Sequence, residues 1–190
     1  MKKWLAIQIL WLLGWKIEGK RPQMQHCVLI AAPHTSNWDF PMMLLYTTAF
    51  ELKIQWMAKH SLFTPPLGPI MRALGGVPIV RHRTNNMVTN MIGQFKKQDQ
   101  LILVVPAEGT RSRAEHWKSG FYHIAHGAGV PILLSYLDYS KKRGGFGPEV
   151  QTSGNIDADM KILRNFYAPM YGKCPELSGP IKLREEDYKA

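Results

Sequence analysis

The sequence predicts an α/β fold: a mostly parallel central sheet flanked by helices, with an interfacial helix at the N-terminus. Three observations lead there. Apolar runs with β-branched residues recur at 27–32, 52–58, 75–81, 101–105 and 131–137. Segments of helical length or spacing lie between them, at 40–50, 85–97 and 121–126. The run Leu101-Ile102-Leu103-Val104-Val105 is unbroken, the pattern of a strand covered on both faces, as parallel strands are. Strands alternating with helices give a sheet with helices packed on it.

Residues 1–20 read as a membrane-interface segment, followed by one domain over 21–190. The stretch from Trp4 to Trp15 is almost wholly apolar, and Lys2, Lys3, Lys16, Lys20 and Arg21 flank it. It is too short for the about 20 residues that a helical span needs, and no small-residue cleavage site follows it. Three tryptophans among cations suit a helix lying in the headgroup region; packing on the domain's own core is the alternative. Asp39 and Pro41 start the 40–50 helix. Pro65, Pro66 and Pro69 prevent one continuous helix over 59–70, whose Leu62, Phe63, Leu67 and Ile70 serve either loop packing or a second lipid contact. Met87, Met91, Ile92 and Phe95 recur at helical spacing in 85–97. Beyond Asp138 the pattern weakens. Residues 141–145 read as a turn, 150–153 as a strand, 157–167 as a helix capped by Asp157, and 169–190 as an irregular charged tail.

A net charge of +10 implies an anionic partner: nucleic acid, anionic lipid, a phosphorylated substrate or an acidic carrier protein. Cys27 and Cys174 lie far apart without metal-ligand spacing, and no metal site is expected. Cys27 falls in a buried strand, where an inert core thiol is expected.

His34-Thr35-Ser36-Asn37-Trp38-Asp39 follows the 27–32 strand and precedes a helix, so His34 and Asp39 share a strand-to-helix turn. In open α/β sheets ligands bind beyond the carboxyl ends of the strands. A histidine with a carboxylate close by has the parts of a general base and its orienter. The alternative makes Asp39 a helix cap and His34 a surface turn residue. Two more polar clusters follow strands: Arg81 with His82 and Arg83, and Glu108-Gly109-Thr110-Arg111. In a parallel sheet these ends share one edge, so the three clusters can meet in one crevice; solvated arginines, and a Glu108-Gly109 turn with Arg111 as its salt-bridge partner, are the alternatives.

Four blocks in this order resemble the glycerolipid acyltransferase family, which includes the 1-acylglycerol-3-phosphate acyltransferases. They are the H-x-x-x-x-D block at 34–39, Gly76-Val77-Pro78-Ile79-Val80-Arg81, Glu108-Gly109-Thr110-Arg111-Ser112 with Lys118-Ser119-Gly120 after it, and Val130-Pro131-Ile132. The likeness spans about 20–140, and the E-G-T-R-S block paired with the histidine block is its most specific part. It departs from the family at Pro33, where asparagine is usual, at Ala107 between Pro106 and Glu108, and at Ser135 in place of a second proline. The resemblance implies an O-acyltransferase without a cofactor, its co-substrate an acyl thioester carried by coenzyme A or by acyl carrier protein. His34 takes the proton of a lysophospholipid or glycerol-phosphate-type acceptor, and Asp39 orients the imidazole. Arg81 and Arg111 hold a phosphate, and Glu108, Gly109 and Thr110 complete the substrate site, with Glu108 bonding the acceptor or orienting an arginine. The enzyme is expected to be monotopic, on an anionic membrane surface at the cytoplasmic side.

Two other classes compete. A basic non-enzymatic module for membrane or nucleic acid accounts for the charge but not for the blocks. A hydrolase using water lacks the G-x-S-x-G elbow. Nucleic acid is accordingly not expected as a partner.

Overall fold

The computed structural model describes residues 2–79 and 84–186. Among these, seven strands form one sheet: β1 (Lys16–Glu18), β2 (His26–Ala31), β3 (Ile54–Lys59), β4 (Gly76–Ile79), β5 (Leu101–Val105), β6 (Ile132–Asp138) and β7 (Arg143–Val150). Their order is β1-β7-β6-β2-β5-β3-β4. All neighbours run parallel except β6 and β7, which form an antiparallel hairpin. The helices are α1 (Lys2–Leu12), α2 (Asp39–Ala49), α3 (Gly68–Ala73), α4 (Thr84–Lys97), α5 (Gly120–Ala128) and α6 (Ile156–Tyr167). The mostly parallel sheet with helices on its faces is therefore what the chain forms.

The unbroken apolar runs split by parity, because successive side chains of a strand point to opposite faces. Val28, Ile30, Leu101, Leu103, Val105, Ile132 and Leu134 join one core, which Phe95 of α4, Phe121 of α5 and Tyr167 of α6 complete. Cys27, Leu29, Ile102, Val104 and Leu133 face the other way, towards Trp56, Phe63, and Phe40 and Met43 of α2. Both faces of β2 and β5 are covered, which is why no polar residue interrupts them.

Residues 1–20 do not stand apart from this body. Ala6 and Leu10 of α1, together with Trp15, share a core with Met42, Tyr46 and Ala49 of α2, and β1 pairs with β7. The expected boundary between residues 20 and 21 thus crosses a shared core and a hydrogen-bonded sheet. The other side of α1 is open to solvent: Trp4 is 65% exposed, Trp11 69% and Leu12 75%. A helix apolar all round has one face for the core and one left over. Among the described residues, no helix is long and apolar enough to cross a membrane.

Further differences from the sequence reading have local causes. The turn falls at 139–142, and Arg143–Val150 is strand. Its Gly144, Gly145 and Gly147 look like turn residues, yet they mark close approaches. A Cβ at Gly145 would lie 1.9 Å from the Glu18 carbonyl oxygen, and one at Gly144 2.8 Å from Tyr46. β1 was missed because a three-residue edge strand carries no pattern of its own. In the proline-rich stretch, the 3-10 turn His60–Phe63 and α3 stand either side of Pro65 and Pro66, and Pro69 sits in the first turn of α3, where a missing N–H costs nothing. The cap of α6 is Asn155, whose side chain accepts the Ala158 N–H, rather than Asp157. The 169–190 tail is irregular as far as it is described, but Leu183 is buried and bridges to Trp117.

Cys27 is fully buried, and that burial, then the charge of Glu149, pushes its thiol up to about 12. The nucleophile is the thiolate, so Cys27 is expected to resist a thiol-specific reagent at pH 8 until the chain unfolds. Thiol counting along a urea titration checks this. Complete labelling of Cys27 before the unfolding transition would contradict the packing described.

Candidate active site

The carboxyl ends of β2, β3, β5 and β6 lie along one edge of the sheet. β2 sits between β5 and β6, with Ile30 opposite both Val105 and Leu134. The loops that leave these three strands are therefore neighbours.

Beyond β2 the chain turns over 32–38 and enters α2 at Asp39. Trp38 occupies the cap position without a side-chain cap bond, so Asp39 is not the cap. It stands in the first helical turn with its carboxylate folded back on the preceding loop. Oδ2 accepts the Ser36 N–H at 3.0 Å and lies 3.1 Å from His34 Nδ1. Oδ1 accepts the hydroxyl of Tyr139 at 2.8 Å. Asp39 is only 6% exposed. With Nδ1 on the carboxylate, Nε2 is the ring nitrogen free to take a proton.

The loop after β5 holds the same turn from the other side. Glu108, also 6% exposed, accepts the backbone N–H of His34 on Oε2 at 2.8 Å. One of its oxygens is therefore committed to the histidine loop, a partner that the sequence reading did not foresee. Burial pushes the Glu108 carboxyl above its usual range, the His34 N–H bond acting in the opposite sense. Gly109 has φ +68°, a conformation that favours glycine, and a Cβ there would meet the Lys118 side chain at 2.8 Å. Thr110 is exposed and its Oγ1 accepts the Ser112 N–H at 3.2 Å, a local bond. Arg111 is exposed too, and its side chain lines the same cavity as His34. Arg81, with His82 and Arg83, lies outside the described residues.

That cavity has a volume of about 310 Å³, at the lower end of the size usual for ligand pockets. Phe40, Met43, Trp56, Met57, Leu62 and Met71 line it, and His34, Asn37, Asp39 and Arg111 supply polar groups. Its apolar wall is drawn from α2, from the segment between the 3-10 turn and α3, and from Leu137 and Phe146 of β6 and β7. An arrangement of this kind can take an apolar chain beside an imidazole and a guanidinium. Among the described residues, no group of three or more His, Cys, Asp and Glu side chains is placed to hold a metal ion.

Two features escaped the sequence reading. Tyr139 leaves β6 at the same sheet edge as His34; the signal for it was the parallel run at 131–137, whose carboxyl end had to fall there. The charged tail ties two of the blocks together. Thr35 Oγ1 accepts the Cys174 N–H at 3.1 Å, and Arg113 donates to the Ser178 carbonyl at 3.0 Å. Nothing in the tail's composition signals these bonds, since both groups involved on its side, the Cys174 N–H and the Ser178 carbonyl, are backbone.

Comparison with known proteins adds the following. The family model described as Acyltransferase matches residues 15–134. The chain is similar to the 1-acyl-sn-glycerol-3-phosphate acyltransferase of Escherichia coli (strain K12), at 29% identity over 132 residues, covering 64% of this chain and 52% of the relative. The protein of the same name from Salmonella typhimurium matches with the same identity and coverage. The chain thus spans about half the length of the curated relatives it matches. The crystal structure of the 1-acyl-sn-glycerophosphate (LPA) acyltransferase from Thermotoga maritima superposes with a TM-score of 0.61 at 17% identity, covering 88% of this chain and 76% of that one. At that identity the likeness is one of fold.

Proposed function

This chain belongs to the acyltransferase family, and we propose on that footing that it moves a fatty acyl group from a thioester to the hydroxyl of a lysophospholipid or glycerol-phosphate-type acceptor. The observation that carries the reading is His34 Nδ1 on the buried Asp39 carboxylate, at the wall of an apolar cavity that Arg111 also lines. The names of the similar proteins support the acceptor class.

In the proposed reaction, His34 Nε2 takes the hydroxyl proton of the acceptor as its oxygen attacks the thioester carbonyl. The new C–O bond forms, the tetrahedral adduct collapses with cleavage of the C–S bond, and His34 returns the proton to the departing thiolate. Asp39 holds the ring in the tautomer with hydrogen on Nδ1 and stabilises the imidazolium that forms. Arg111, joined by Arg81, holds the phosphate, for which a guanidinium fork is suited. Glu108 fixes the histidine loop, Gly109 and Thr110 shape the loop beside it, and the apolar cavity takes the acyl chain. The acceptor hydroxyl is itself the nucleophile, so no acyl-enzyme and no cofactor are needed; the donor is acyl-CoA or acyl carrier protein.

Acceptor and product of this kind live in a bilayer, so the enzyme works at a lipid surface. The exposed side of α1 supplies indoles for the headgroup region, and Lys2 and Lys16 supply cations for anionic lipid on the cytoplasmic face. The protein docks as a monotopic enzyme.

His34→Ala is expected to lower thiol release from acyl-CoA in the presence of a lysophospholipid by about 10²–10⁴-fold, with unchanged circular dichroism. Wild-type turnover by the folded variant overturns the assignment. For the membrane, the test keeps the buried side of α1 intact. Trp4→Ser with Trp11→Ser removes two indoles, each worth about 2 kcal/mol at half insertion. Co-sedimentation with anionic liposomes is expected to fall at least about tenfold, while turnover of a short-chain, water-soluble acceptor is retained. Unchanged sedimentation shows that α1 serves the core alone.

A further inference from the structure

The Asp39 carboxylate is gripped from two parts of the chain. Its own loop uses one oxygen only: both the Ser36 N–H and His34 Nδ1 meet Oδ2. The terminal torsion of an aspartate is broad and roughly two-fold, so contacts to a single oxygen leave the plane of the carboxylate free to swing. The other oxygen takes the hydroxyl of Tyr139, 100 residues further along the chain. Tyr139 lies beyond the residues that match the acyltransferase family model.

The tyrosine is itself firmly mounted. It opens the turn between β6 and β7, and the residue before it, Asp138, is fully buried. Asp138 Oδ1 accepts from the Ser140 hydroxyl at 2.6 Å and the Ser140 N–H at 3.2 Å, and its Oδ2 accepts from Arg143 Nε at 3.2 Å. Burial would raise the Asp138 carboxyl, but the Ser140 and Arg143 bonds outweigh it and hold the group below its ordinary range, so the turn stays locked at neutral pH. The backbone N–H of Tyr139 donates to the Tyr171 carbonyl at 2.9 Å. Its ring meets Trp15 edge-on, 4.8 Å between centroids at 90°. Burial first, and then the bond to Asp39, push the Tyr139 hydroxyl far up, so it remains a donor.

The geometry points to Tyr139 as a positioning residue: its hydroxyl fixes the plane of the Asp39 carboxylate, and through it the orientation and tautomer of the His34 ring. This rests on the reading of His34 and Asp39 as the acid–base pair. Tyr139 touches neither substrate in that reading and acts only through Asp39.

Tyr139→Phe removes the hydroxyl oxygen and leaves the ring on Trp15. Tyr122→Phe is the matched control. It removes a tyrosine hydroxyl that donates to a buried carboxylate, Asp159, at 2.7 Å in the core on the opposite sheet face. The readouts are kcat and KM for acyl transfer, the melting temperature, and the His34 Nδ1–H proton resonance of ¹⁵N-histidine-labelled protein. Tyr139→Phe is expected to lower kcat about 10–100-fold, the size of one hydrogen bond to a charged group, with KM within about twofold. The His34 resonance broadens or disappears through exchange. Tyr122→Phe leaves kcat and the resonance unchanged. Wild-type kcat in Tyr139→Phe, a fall in kcat with the resonance intact, or equal losses in both variants overturns the role. A wild-type protein without acyl transfer would defeat the functional reading separately. The resonance alone then decides: its loss in Tyr139→Phe upholds the positioning role and its persistence overturns it.

Discussion

A carboxylate taken out of water must find donors inside the protein, since desolvating an ion costs several kcal/mol. Asp39 finds them in three places: the Ser36 amide, the His34 ring and the Tyr139 hydroxyl. That requirement ties together the loop after β2, the first turn of α2 and the hairpin between β6 and β7. None of these can shift without leaving a buried acceptor short of a partner. Glu108 adds a second grip on the same loop through the His34 amide, so two buried acids hold one histidine, one by its ring and one by its backbone.

The sheet makes this convergence possible. Parallel pairing of β2 with β5 and β6 brings three loops to one edge without any long excursion. The antiparallel return of β7 keeps the hairpin turn at that edge and offers its far side to β1. Through Trp15 the N-terminal segment reaches the ring of Tyr139, while Trp4 and Trp11 on the same segment stay open to solvent. The element proposed to meet lipid is thus one contact from the residue proposed to position the base. The apolar cavity lies on the same sheet face as α2, with Leu62 and Met71 in its wall.

Much of this was legible in the residues. The unbroken runs at β2 and β5 declare strands covered on both faces, and the carboxyl-end rule then puts His34, Asp39 and Glu108 together at one edge. What stayed hidden has physical reasons. The glycines of β7 read as a turn because close backbone approach and tight turning select the same residue. β1 is too short to show alternation. The cap of α6 went to Asn155 because Asp157 already lies inside the helix. Tyr139 was invisible as a partner because a tyrosine after a strand has no pattern that separates a core ring from one with a task for its hydroxyl. The tail bonds to the active-site loops largely through its backbone, which sequence does not distinguish.

In the proposed mechanism the acyl group passes straight from the thioester to a hydroxyl, with a histidine–carboxylate pair moving the proton and no acylated protein in between. Intact-mass spectrometry after rapid quenching tests it most directly. The protein is mixed with excess acyl thioester, without acceptor and then with a lysophospholipid. An unmodified protein mass is expected in both arms, with thiol release and diacyl product only when the acceptor is present. A stoichiometric acyl adduct on the protein, formed without acceptor and discharged when acceptor is added, would contradict it.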